Sequence, residues 1–156
     1  MKTIIVYATK HGAAEEVARR IADRIGGATV HNLKQGDIPS LTDFDCVIIG
    51  SSVYAGMIRK EAKVFLSKNT AVLKEKSVGL FLCGLDASQE KTYFDSNFAP
   101  EILQAAKATG FMGGIFDPQK AGFMERFIMK MVAKQSVYSN TIDDDKIVRF
   151  VGAMGV

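Results

Sequence analysis

Residues 4–26 read IIVYATKHGAAEEVARRIADRIG, and this stretch decides which fold we expect for the chain. An apolar run leads into a short turn, and the turn leads into a helical pattern that two glycines at 26 and 27 bring to an end. A buried strand that feeds directly into an amphipathic helix is the repeating unit of parallel α/β folds. The helix turns one apolar face inward, formed by Val17, Ala18, Ile21, Ala22 and Ile25.

Strand-like and helical patterns alternate along the rest of the chain. The predicted strands cover residues 2–8, 28–33, 44–50, 77–83 and 110–117. The first, third and fourth are nearly continuous apolar runs, as expected for parallel strands that are buried on both faces. With right-handed crossovers, this alternation predicts an α/β fold. We expect a single domain over residues 1–156, a three-layer sandwich around a five-stranded parallel sheet in the order 2-1-3-4-5.

Three further helices complete this prediction. The helix after the third strand has an apolar face formed by Ile58, Ala62, Phe65 and Leu66. The helix after the fourth strand has one formed by Phe98, Ile102, Leu103 and Ala106. The last helix covers residues 143–154, with Thr141 as its N-cap. Its predicted inward face comprises Ile147, Val148, Val151 and Met154.

The composition is that of an ordinary globular protein, with 47% apolar and 24% charged residues. No apolar run approaches the ~20 residues of a membrane span, and the first residues lack the features of a secretory signal. We therefore expect a cytoplasmic protein. Cys46 and Cys83 each lie in an apolar run and form no CxxC pair, which predicts two buried, reduced thiols. His11 and His31 are not spaced as metal ligands, so no metal site is expected.

The net charge of +3 is concentrated in one segment of the chain. Residues 120–134 contain four basic side chains and one acidic side chain, so the net charge of the rest of the chain is zero. A diffuse nucleic-acid-binding surface is therefore not expected, and the basic segment is the feature to explain. Its charged residues are Lys120, Glu125, Arg126, Lys130 and Lys134.

The turn after the first strand has the features of a phosphate site. Neither GxxxxGK[ST] nor GxGxxG is present. The turn nevertheless runs straight into a helix, where successive main-chain N–H groups and the helix dipole favour an anion. Thr9 supplies a hydroxyl, Lys10 a charge, and Gly12 lets the backbone approach a ligand closely. The alternative is a tight strand–helix turn that binds no ligand. The candidate residues are Thr9, Lys10, His11, Gly12, Ala13 and Ala14.

This turn resembles the phosphate loop of flavodoxins, [Ser/Thr]-x-Thr-Gly-x-Thr after the first strand. Thr9 matches the first position and Gly12 the glycine, whereas His11 and Ala14 stand where hydroxyls are usual. In flavodoxins the loop after the third strand flanks the flavin ring, commonly with an aromatic side chain, and Tyr54 stands in that place. The alternative for Tyr54 is a half-exposed aromatic residue at a helix entry. The candidate ring residues in this loop are Ser51, Ser52, Val53, Tyr54, Ala55 and Gly56.

The segment after the fourth strand extends the resemblance. Flavodoxins often carry Cys-Gly-Asp there, with main-chain groups on the pyrimidine end of the flavin. Here Asp86 comes one residue late. Taken together, the three loops imply that FMN is the cofactor, and they imply no catalytic acid or base and no metal ligand. The candidate residues in this third segment are Cys83, Gly84, Leu85 and Asp86.

A second resemblance concerns residues 1–18, 47–57 and above all 123–135, FMERFIMKMVAKQ. They resemble the menaquinone-dependent protoporphyrinogen IX dehydrogenase branch of the flavodoxin superfamily, which passes hydrogens through FMN to a membrane quinone. The 123–135 segment predicts a basic amphipathic helical insert after strand five. It implies a small-molecule or quinone substrate and peripheral contact with the inner face of the membrane through residues 120–134. The apolar face comprises Phe123, Met124, Phe127, Ile128, Met131 and Val132.

Several interpretations stay open at this stage. The apolar face of the insert is equally compatible with packing against the sheet, its basic face then being only solvated. The chain is either an FMN oxidoreductase of the protoporphyrinogen type or a non-enzymatic electron carrier that serves a redox partner protein. Its pI of about 8.8 differs from that of the acidic flavodoxin carriers. The absent hydroxyls at His11 and Ala14 also allow a binding module that has lost FMN.

Overall fold

The computed structural model describes residues 1–119, 122, 127 and 138–156. Five of its strands form one parallel sheet in the order β2-β1-β3-β5-β6, which confirms the predicted order 2-1-3-4-5. The short β4 pairs antiparallel with the end of β3, and β7 pairs with β8 apart from the main sheet. In chain order the strands are β1 (Thr3–Ala8), β2 (Thr29–Asn32), β3 (Cys46–Tyr54), β4 (Met57–Ile58), β5 (Ser77–Cys83), β6 (Ala106–Phe111), β7 (Ile115–Phe116) and β8 (Ser139–Asn140).

Helices cover both faces of the sheet, so the predicted three layers are present. On one face, α1 and α5 pack over one hydrophobic cluster, and on the other α2, α3 and α4 pack over a second. Alternate side chains of β1 feed the two clusters: Ile4 and Val6 enter one, and Ile5 and Tyr7 the other. The helices are α1 (Ala13–Ile25), α2 (Lys60–Leu73), α3 (Glu90–Asn97), α4 (Pro100–Ala105) and α5 (Asp144–Met154).

Burial on both faces explains why the central strands are continuous apolar runs. Ile4, Ile5 and Val6 of β1 are completely buried. Burying one such side chain stabilises the fold by about 1.5–3 kcal/mol. The thiols of Cys46 and Cys83 are also free and buried, as predicted.

The fifth strand of the sheet differs from the prediction of residues 110–117. It begins at Ala106, which was expected on a helix face, and ends at Phe111. As an edge strand it exposes Lys107 and Thr109 to solvent. These polar side chains interrupt the continuous apolar run by which the other central strands were predicted. Gly113 follows in the left-handed region at φ +90°, where the chain turns away from the sheet.

The entry to α5 also differs from the prediction. The N-cap is Asp143, whose carboxylate accepts from the amides of Asp145 and Lys146, and not Thr141. Thr141 instead accepts from the amide of Gly114 through its hydroxyl, at 3.0 Å. Val148 was expected inward, but it is exposed. The buried face of α5 comprises Ile147, Phe150 and Met154, at spacings of three and four residues.

Two apolar residues that were expected on helices are buried outside them. Ile58 belongs to β4, and Phe98 lies between α3 and α4. Both side chains contribute to the cluster beneath α2, α3 and α4. The prediction of the buried side was therefore right for these residues, whereas the prediction of the local element was wrong.

β7 and β8 join the two ends of the segment that contains the basic residues. Ile115 pairs with Asn140 and Phe116 with Ser139. Next to this pair, the amide of Thr141 donates to the carbonyl of Gly114 at 2.8 Å. The predicted helical insert over 120–134 lies outside the described residues, apart from Gly122 and an exposed Phe127.

Candidate functional site

The three predicted segments lie side by side at one edge of the sheet. Ala8 at the end of β1 pairs with Ser51 of β3, and Ser52 pairs with Cys83 at the end of β5. Because these strands are parallel, their carboxyl ends lie at the same edge of the sheet. From β1 the chain continues to β2 on one side, and from β3 it continues to β5 on the other, so a crevice forms between the two connections. This edge is where open α/β sheets form their ligand-binding crevice.

The turn after β1 is stabilised by the side chain of Thr9, one of its own residues. Thr9 Oγ1 accepts from the amide of Gly12 at 2.9 Å, and its hydroxyl proton remains available to donate. Gly12 has φ +97° and serves as the N-cap of α1 without any side-chain cap. A Cβ built at Gly12 would meet no atom of the described residues within 4 Å, so none of these residues fills the space in front of the turn.

Among the described residues, three main-chain amides at the amino end of α1 have no acceptor. The amides of Ala13, Ala14 and Glu15 have no intrahelical partner, because they belong to the first turn. Within the described ranges the structure gives them no other acceptor. Ala13 and Ala14 are buried, and a buried helix end without partners is rare unless a ligand satisfies it. An anion with several oxygens fits this set of donors.

The two acidic residues of the first turn of α1 are paired with arginines. Glu15 pairs with Arg19, and Glu16 Oε1 lies 2.9 Å from Nε of Arg20. Both pairs have the i, i+4 spacing that brings side chains together on a helix. The negative charges next to the turn are therefore partly compensated, which reduces their repulsion of an anion.

The third strand is longer at its carboxyl end than the predicted strand 44–50, so most of the predicted loop 51–56 is strand. Ser51, Ser52, Val53 and Tyr54 belong to β3, and only Ala55 and Gly56 form the turn to β4. Both turn residues have positive φ, +51° and +76°, as in a two-residue hairpin. An alanine in this region is uncommon. The hairpin fixes the direction in which Tyr54 leaves the sheet.

Two polar side chains anchor this hairpin. Asn97 of α3 donates to the carbonyl of Gly56 at 2.9 Å and accepts from the amide of Ile58 at 3.0 Å. Ser51 Oγ accepts from the amide of Arg59 and donates to the carbonyl of Ser52, both at 2.9 Å. Ser51 is 1% exposed, so in this structure it links β3 to the entry of α2. The sequence prediction missed Asn97, because no local pattern connects it to the hairpin.

Lys10 connects the first segment to the second. Its amide donates to Ser52 Oγ at 3.2 Å, and its ammonium lies 3.6 Å from the centre of the Tyr54 ring. Burial and the nearby Arg59 guanidinium lower the pKa of Lys10. Arg59, which the sequence prediction also missed, therefore adds a second cation near this end of the crevice.

The segment after β5 is closely packed. Burial raises the pKa of the Cys83 thiol, so this cysteine is an inert part of the core. The amide of Gly84 donates to the carbonyl of Gly113 at 3.0 Å, and a Cβ at Gly84 would lie 3.8 Å from Cβ of Val53. Gly84 therefore lies next to the end of β3. Leu85 is half-buried, and Asp86 is exposed.

Asp86 has a local role in the structure. Its carboxylate accepts from the amide of Ser88 at 3.1 Å and from the Ser88 hydroxyl at 2.5 Å. This contact caps the short 3-10 turn that leads into α3. The predicted main-chain contacts of this segment with a ligand stay a prediction.

A cleft of about 320 Å³ lies beside the turn after β1. One wall comes from that turn and the exposed face of α1, and the other from the β7–β8 pair and its flanks. The sequence prediction did not include the second wall, because it depends on the chain returning at β8. The lining residues are His11, Gly12, Glu16, Arg20, Ile115, Asp117, Tyr138 and Asn140.

Two possible features are not found within the described part of the chain. No group of three His, Cys, Asp or Glu side chains there is arranged to hold a metal ion. Among the same residues, no helix is long and apolar enough to cross a membrane.

Comparison of the chain with known proteins finds a matching family and a curated relative. Residues 4–143 match the family model described as "Flavodoxin domain". Protoporphyrinogen IX dehydrogenase [quinone] of Escherichia coli strain K12 is 23% identical over 146 residues, which cover 87% of this chain and 81% of that protein.

Solved structures show the same fold at low sequence identity. A short-chain flavodoxin associated with a non-canonical PDU bacterial microcompartment has a TM-score of 0.62 and 18% identity, over 99% of this chain and 97% of the other. Oxidised flavodoxin 2 from Bacillus cereus has a TM-score of 0.60 and 19% identity, over 99% and 98% of the two chains.

Proposed function

The chain belongs to the flavodoxin domain family, and from this premise we propose that it binds FMN at the ends of β1, β3 and β5 and transfers electrons through it. One observation carries the proposal: Ala13 and Ala14 at the amino end of α1 are buried, and within the described part of the chain no side chain caps this end and no atom fills the space in front of Gly12. When bound, FMN supplies the redox chemistry, and the protein supplies binding, orientation and electrostatics.

The phosphate of FMN would be held mainly by the main chain. The amides of Ala13, Ala14 and Glu15 are the donors without a described acceptor, and the Thr9 hydroxyl can add a fourth donor. A hydroxyl side chain at position 14 would add little to phosphate binding, because the side chain at this position is completely buried. Lys10 and His11 of the same turn complete the proposed phosphate end.

The flavin ring would lie between the ends of β3 and β5. Tyr54 offers an aromatic surface for a planar ring. Gly84 lies next to Val53, so a ring at Tyr54 would have the main chain of residues 84–86 within its reach. A flavin is apolar on its faces and polar along one edge, so the Tyr54 ring would serve a face and the main-chain groups of residues 84–86 the polar edge.

A titration of the purified protein with FMN tests this proposal directly. We expect quenching of FMN fluorescence and a perturbed absorption spectrum, with saturation at micromolar or lower FMN. Riboflavin, which lacks the phosphate, is the matched control ligand and should bind at least tenfold more weakly. Absence of binding at micromolar FMN would contradict the proposal and favour a binding module without cofactor.

As the finer function, we propose a protoporphyrinogen-type oxidoreductase with a quinone as acceptor. It is supported by the 23% identity to the Escherichia coli enzyme over most of both chains and by the basic segment 120–134. A porphyrinogen carries carboxylates on an apolar macrocycle. Lys10 lies over the Tyr54 ring, and the Arg59 guanidinium contributes to lowering the pKa of Lys10. These two cations suit such a substrate.

Anaerobic incubation of the FMN-loaded protein with protoporphyrinogen and a soluble menaquinone analogue tests this function. Porphyrin fluorescence should rise only when both FMN and the quinone are present. The competing function is a one-electron carrier for a redox partner protein, which the match of residues 4–143 to the flavodoxin domain family supports. A redox titration separates the two, because a carrier should show two well-separated one-electron steps and no porphyrin formation.

We also propose that the protein contacts the inner face of the cytoplasmic membrane through residues 120–134. The excess of three positive charges in this segment, interleaved with Phe123, Phe127 and Met131, supports an interfacial role. Sedimentation with vesicles that contain anionic lipids should carry the protein down, and neutral vesicles should not. Binding that is equal for both vesicle types, or absent from both, would contradict this proposal.

A further inference from the structure

The hairpin between β3 and β4 has an unusual backbone conformation. Its two turn residues, Ala55 and Gly56, have φ of +51° and +76°. Glycine adopts such angles readily, whereas alanine is strained there because its Cβ comes too close to a carbonyl oxygen. Tyr54, the residue proposed to face the flavin ring, comes directly before this turn and pairs with Met57 directly after it. The direction of the Tyr54 side chain therefore depends on contacts that keep the strained turn in place.

Asn97, at the end of α3, supplies such contacts. Its Nδ2 donates to the carbonyl of Gly56 at 2.9 Å, and its Oδ1 accepts from the amide of Ile58 at 3.0 Å. Nδ2 also donates to the carbonyl of Tyr93, one helical turn back in α3, at 2.8 Å. A primary amide has two donor protons and one acceptor oxygen, and in Asn97 both kinds of group bind the main chain. Asn97 therefore fastens the turn to α3 on both of its sides.

The same helix also contacts the other wall of the proposed ring site. The ring of Tyr93 stacks on that of Phe111, with centroids 6.0 Å apart and an angle of 28° between the ring planes. Phe111 in turn lies against Gly84, where an added Cβ would be 3.1 Å from the Phe111 ring. A continuous series of contacts runs from the hairpin through α3 to the segment after β5. Close packing of this kind fixes the distance between the elements that it joins.

We propose that Asn97 is a positioning residue for the flavin, which sets the place of Tyr54 relative to residues 84–86 and so the width of the ring site. This inference rests on the proposed binding of FMN. Asn97 acts through Tyr54 and needs no contact with the ligand itself. Its contacts belong to the ring end, whereas the proposed phosphate donors lie in the turn after β1 and in α1. Loss of Asn97 should therefore weaken binding of the ring and leave binding of the phosphate intact.

Fluorescence titration with FMN and with riboflavin compares wild type, Asn97→Ala, Tyr54→Leu and the double variant. Asn97→Ala removes the three hydrogen bonds, and alanine is favourable in a helix. Its affinity for FMN should fall about two- to tenfold, the range of one aromatic stacking contact. Its affinity for riboflavin should fall by the same factor, because both ligands carry the ring. In the Tyr54→Leu background, Asn97→Ala should weaken neither ligand further, because the side chain that Asn97 positions is absent.

Asn69→Ala is the matched control. Asn69 also donates from Nδ2 to the carbonyl one helical turn back, that of Phe65 at 2.8 Å, but it lies in α2. Its replacement removes the same kind of helical bond and should leave both affinities unchanged. A thermal unfolding curve for each variant verifies that the apoprotein is folded. If Asn97→Ala is unfolded, Asn97→Asp, which keeps an acceptor for the Ile58 amide, takes its place, and its smaller loss of affinity should again depend on Tyr54.

The outcomes separate this inference from the proposed function. If Asn97→Ala binds FMN as tightly as wild type, the inference is wrong and the proposed function stands. The inference is also wrong if the loss is the same with and without Tyr54, since Asn97 would then stabilise the fold without positioning the ring. A loss for FMN alone would overturn it as well, because the effect would then lie at the phosphate. If the wild-type chain binds no FMN, the proposed function itself fails, and this inference fails with it.

Discussion

The ammonium group of Lys10 lies 3.6 Å from the centre of the Tyr54 ring, although the two residues belong to different strand ends. The amide of Lys10 also donates to Ser52 Oγ, so the turn after β1 and the end of β3 are joined twice. A partly exposed cation–π contact contributes about 0.5–1 kcal/mol. The proposed phosphate end and the proposed ring end of the site are therefore one connected unit.

Replacing Tyr54 tests its proposed role at the flavin ring. Tyr54→Leu removes the aromatic surface, and the loss of about 0.5–1.5 kcal/mol of stacking should weaken FMN binding roughly two- to tenfold. Tyr54→Phe keeps the ring and should bind FMN within about threefold of wild type. Fluorescence titration measures both affinities. Equal affinities for the two variants would show that Tyr54 does not stack on the flavin.

Gly12→Val tests the phosphate end. The valine would have to adopt φ +97°, at a cost of about 1–2 kcal/mol, and its side chain would enter the open space in front of the turn. We expect FMN affinity to fall at least tenfold, with little change for riboflavin. Gly152→Val is the matched control on the exposed face of α5. Its added Cβ would have no atom of the described residues within 4 Å, and it should leave FMN affinity unchanged. If Gly12→Val retained wild-type FMN affinity, the account of this turn would be wrong.

Gly50→Ala should be one of the most destabilising single substitutions in the sheet. A Cβ at Gly50 would lie 1.9 Å from an atom of the buried Phe81 ring, in the centre of β3 and β5. Overpacking of this kind costs about 1–3 kcal/mol or more. Gly110→Ala should cost less, because its closest contact at 2.7 Å is the flexible end of Met112. Urea unfolding of the two apoprotein variants compares them, and an equal loss would contradict this ranking.

Glu90 and Lys146 cap the exposed edge of the sheet at Phe111. Glu90 Oε1 accepts from the Phe111 amide at 3.1 Å, and Lys146 Nζ donates to the Phe111 carbonyl at 3.2 Å. Glu90→Ala should lower the free energy of unfolding by about 1–3 kcal/mol, because it leaves a partly buried amide without its acceptor. Glu90→Gln keeps an acceptor oxygen and should cost clearly less. Chemical denaturation measures the free energy of unfolding of both variants. Equal losses would show that Glu90 stabilises the fold through its charge and not through its hydrogen bond.

The buried thiol of Cys83 makes stability depend on pH. Burial raises the pKa of this thiol in the folded chain, whereas in the unfolded chain it titrates at about 8.5. The unfolded state alone therefore loses this proton as the pH rises above about 8.5, and the free energy of unfolding should fall by up to about 1.4 kcal/mol per pH unit for this group. Below that pH its contribution is constant.

Cys83→Ala supplies the comparison for this pH effect. Burial also raises the pKa of Cys46, so some decline should remain in the variant. Urea unfolding between pH 7 and pH 10 should nevertheless show a shallower decline for Cys83→Ala than for wild type. Identical slopes would mean that Cys83 ionises equally in the folded and unfolded chains.

The sequence predicted the central strands well, because each is a local apolar run that is buried on both faces. The predicted strand 77–83 has the bounds of β5, and the predicted strand 2–8 differs from β1 by one residue. The helix of residues 13–25 was equally clear, since its apolar stripe and its terminal glycine are both local signals. The two lone cysteines were also correctly predicted to be buried.

The sequence was less informative where an element has one exposed side or a partner far along the chain. β6 was misplaced because an edge strand has a solvent-facing side with polar residues such as Lys107 and Thr109. Thr141 was a reasonable N-cap by residue type, but its hydroxyl bonds to Gly114, 27 residues away. Asp143 is the N-cap instead.

Local apolar runs and helical periodicity were enough to predict the α/β class and the segments that follow β1, β3 and β5, because burial leaves its pattern among near neighbours in the chain. The strand order 2-1-3-4-5 was predicted from the alternation of strands and helices together with the handedness of their connections, and the sheet has this order. Only the tertiary structure decided how those segments meet. Lys10 and Ser52 are 42 residues apart, and their contact follows from the register that pairs Ala8 with Ser51. Arg59, which contributes to lowering the pKa of Lys10, follows the β3–β4 hairpin in the chain, 49 residues after Lys10 in the sequence. Such contacts depend on the packing of whole strands against one another, which no local pattern encodes.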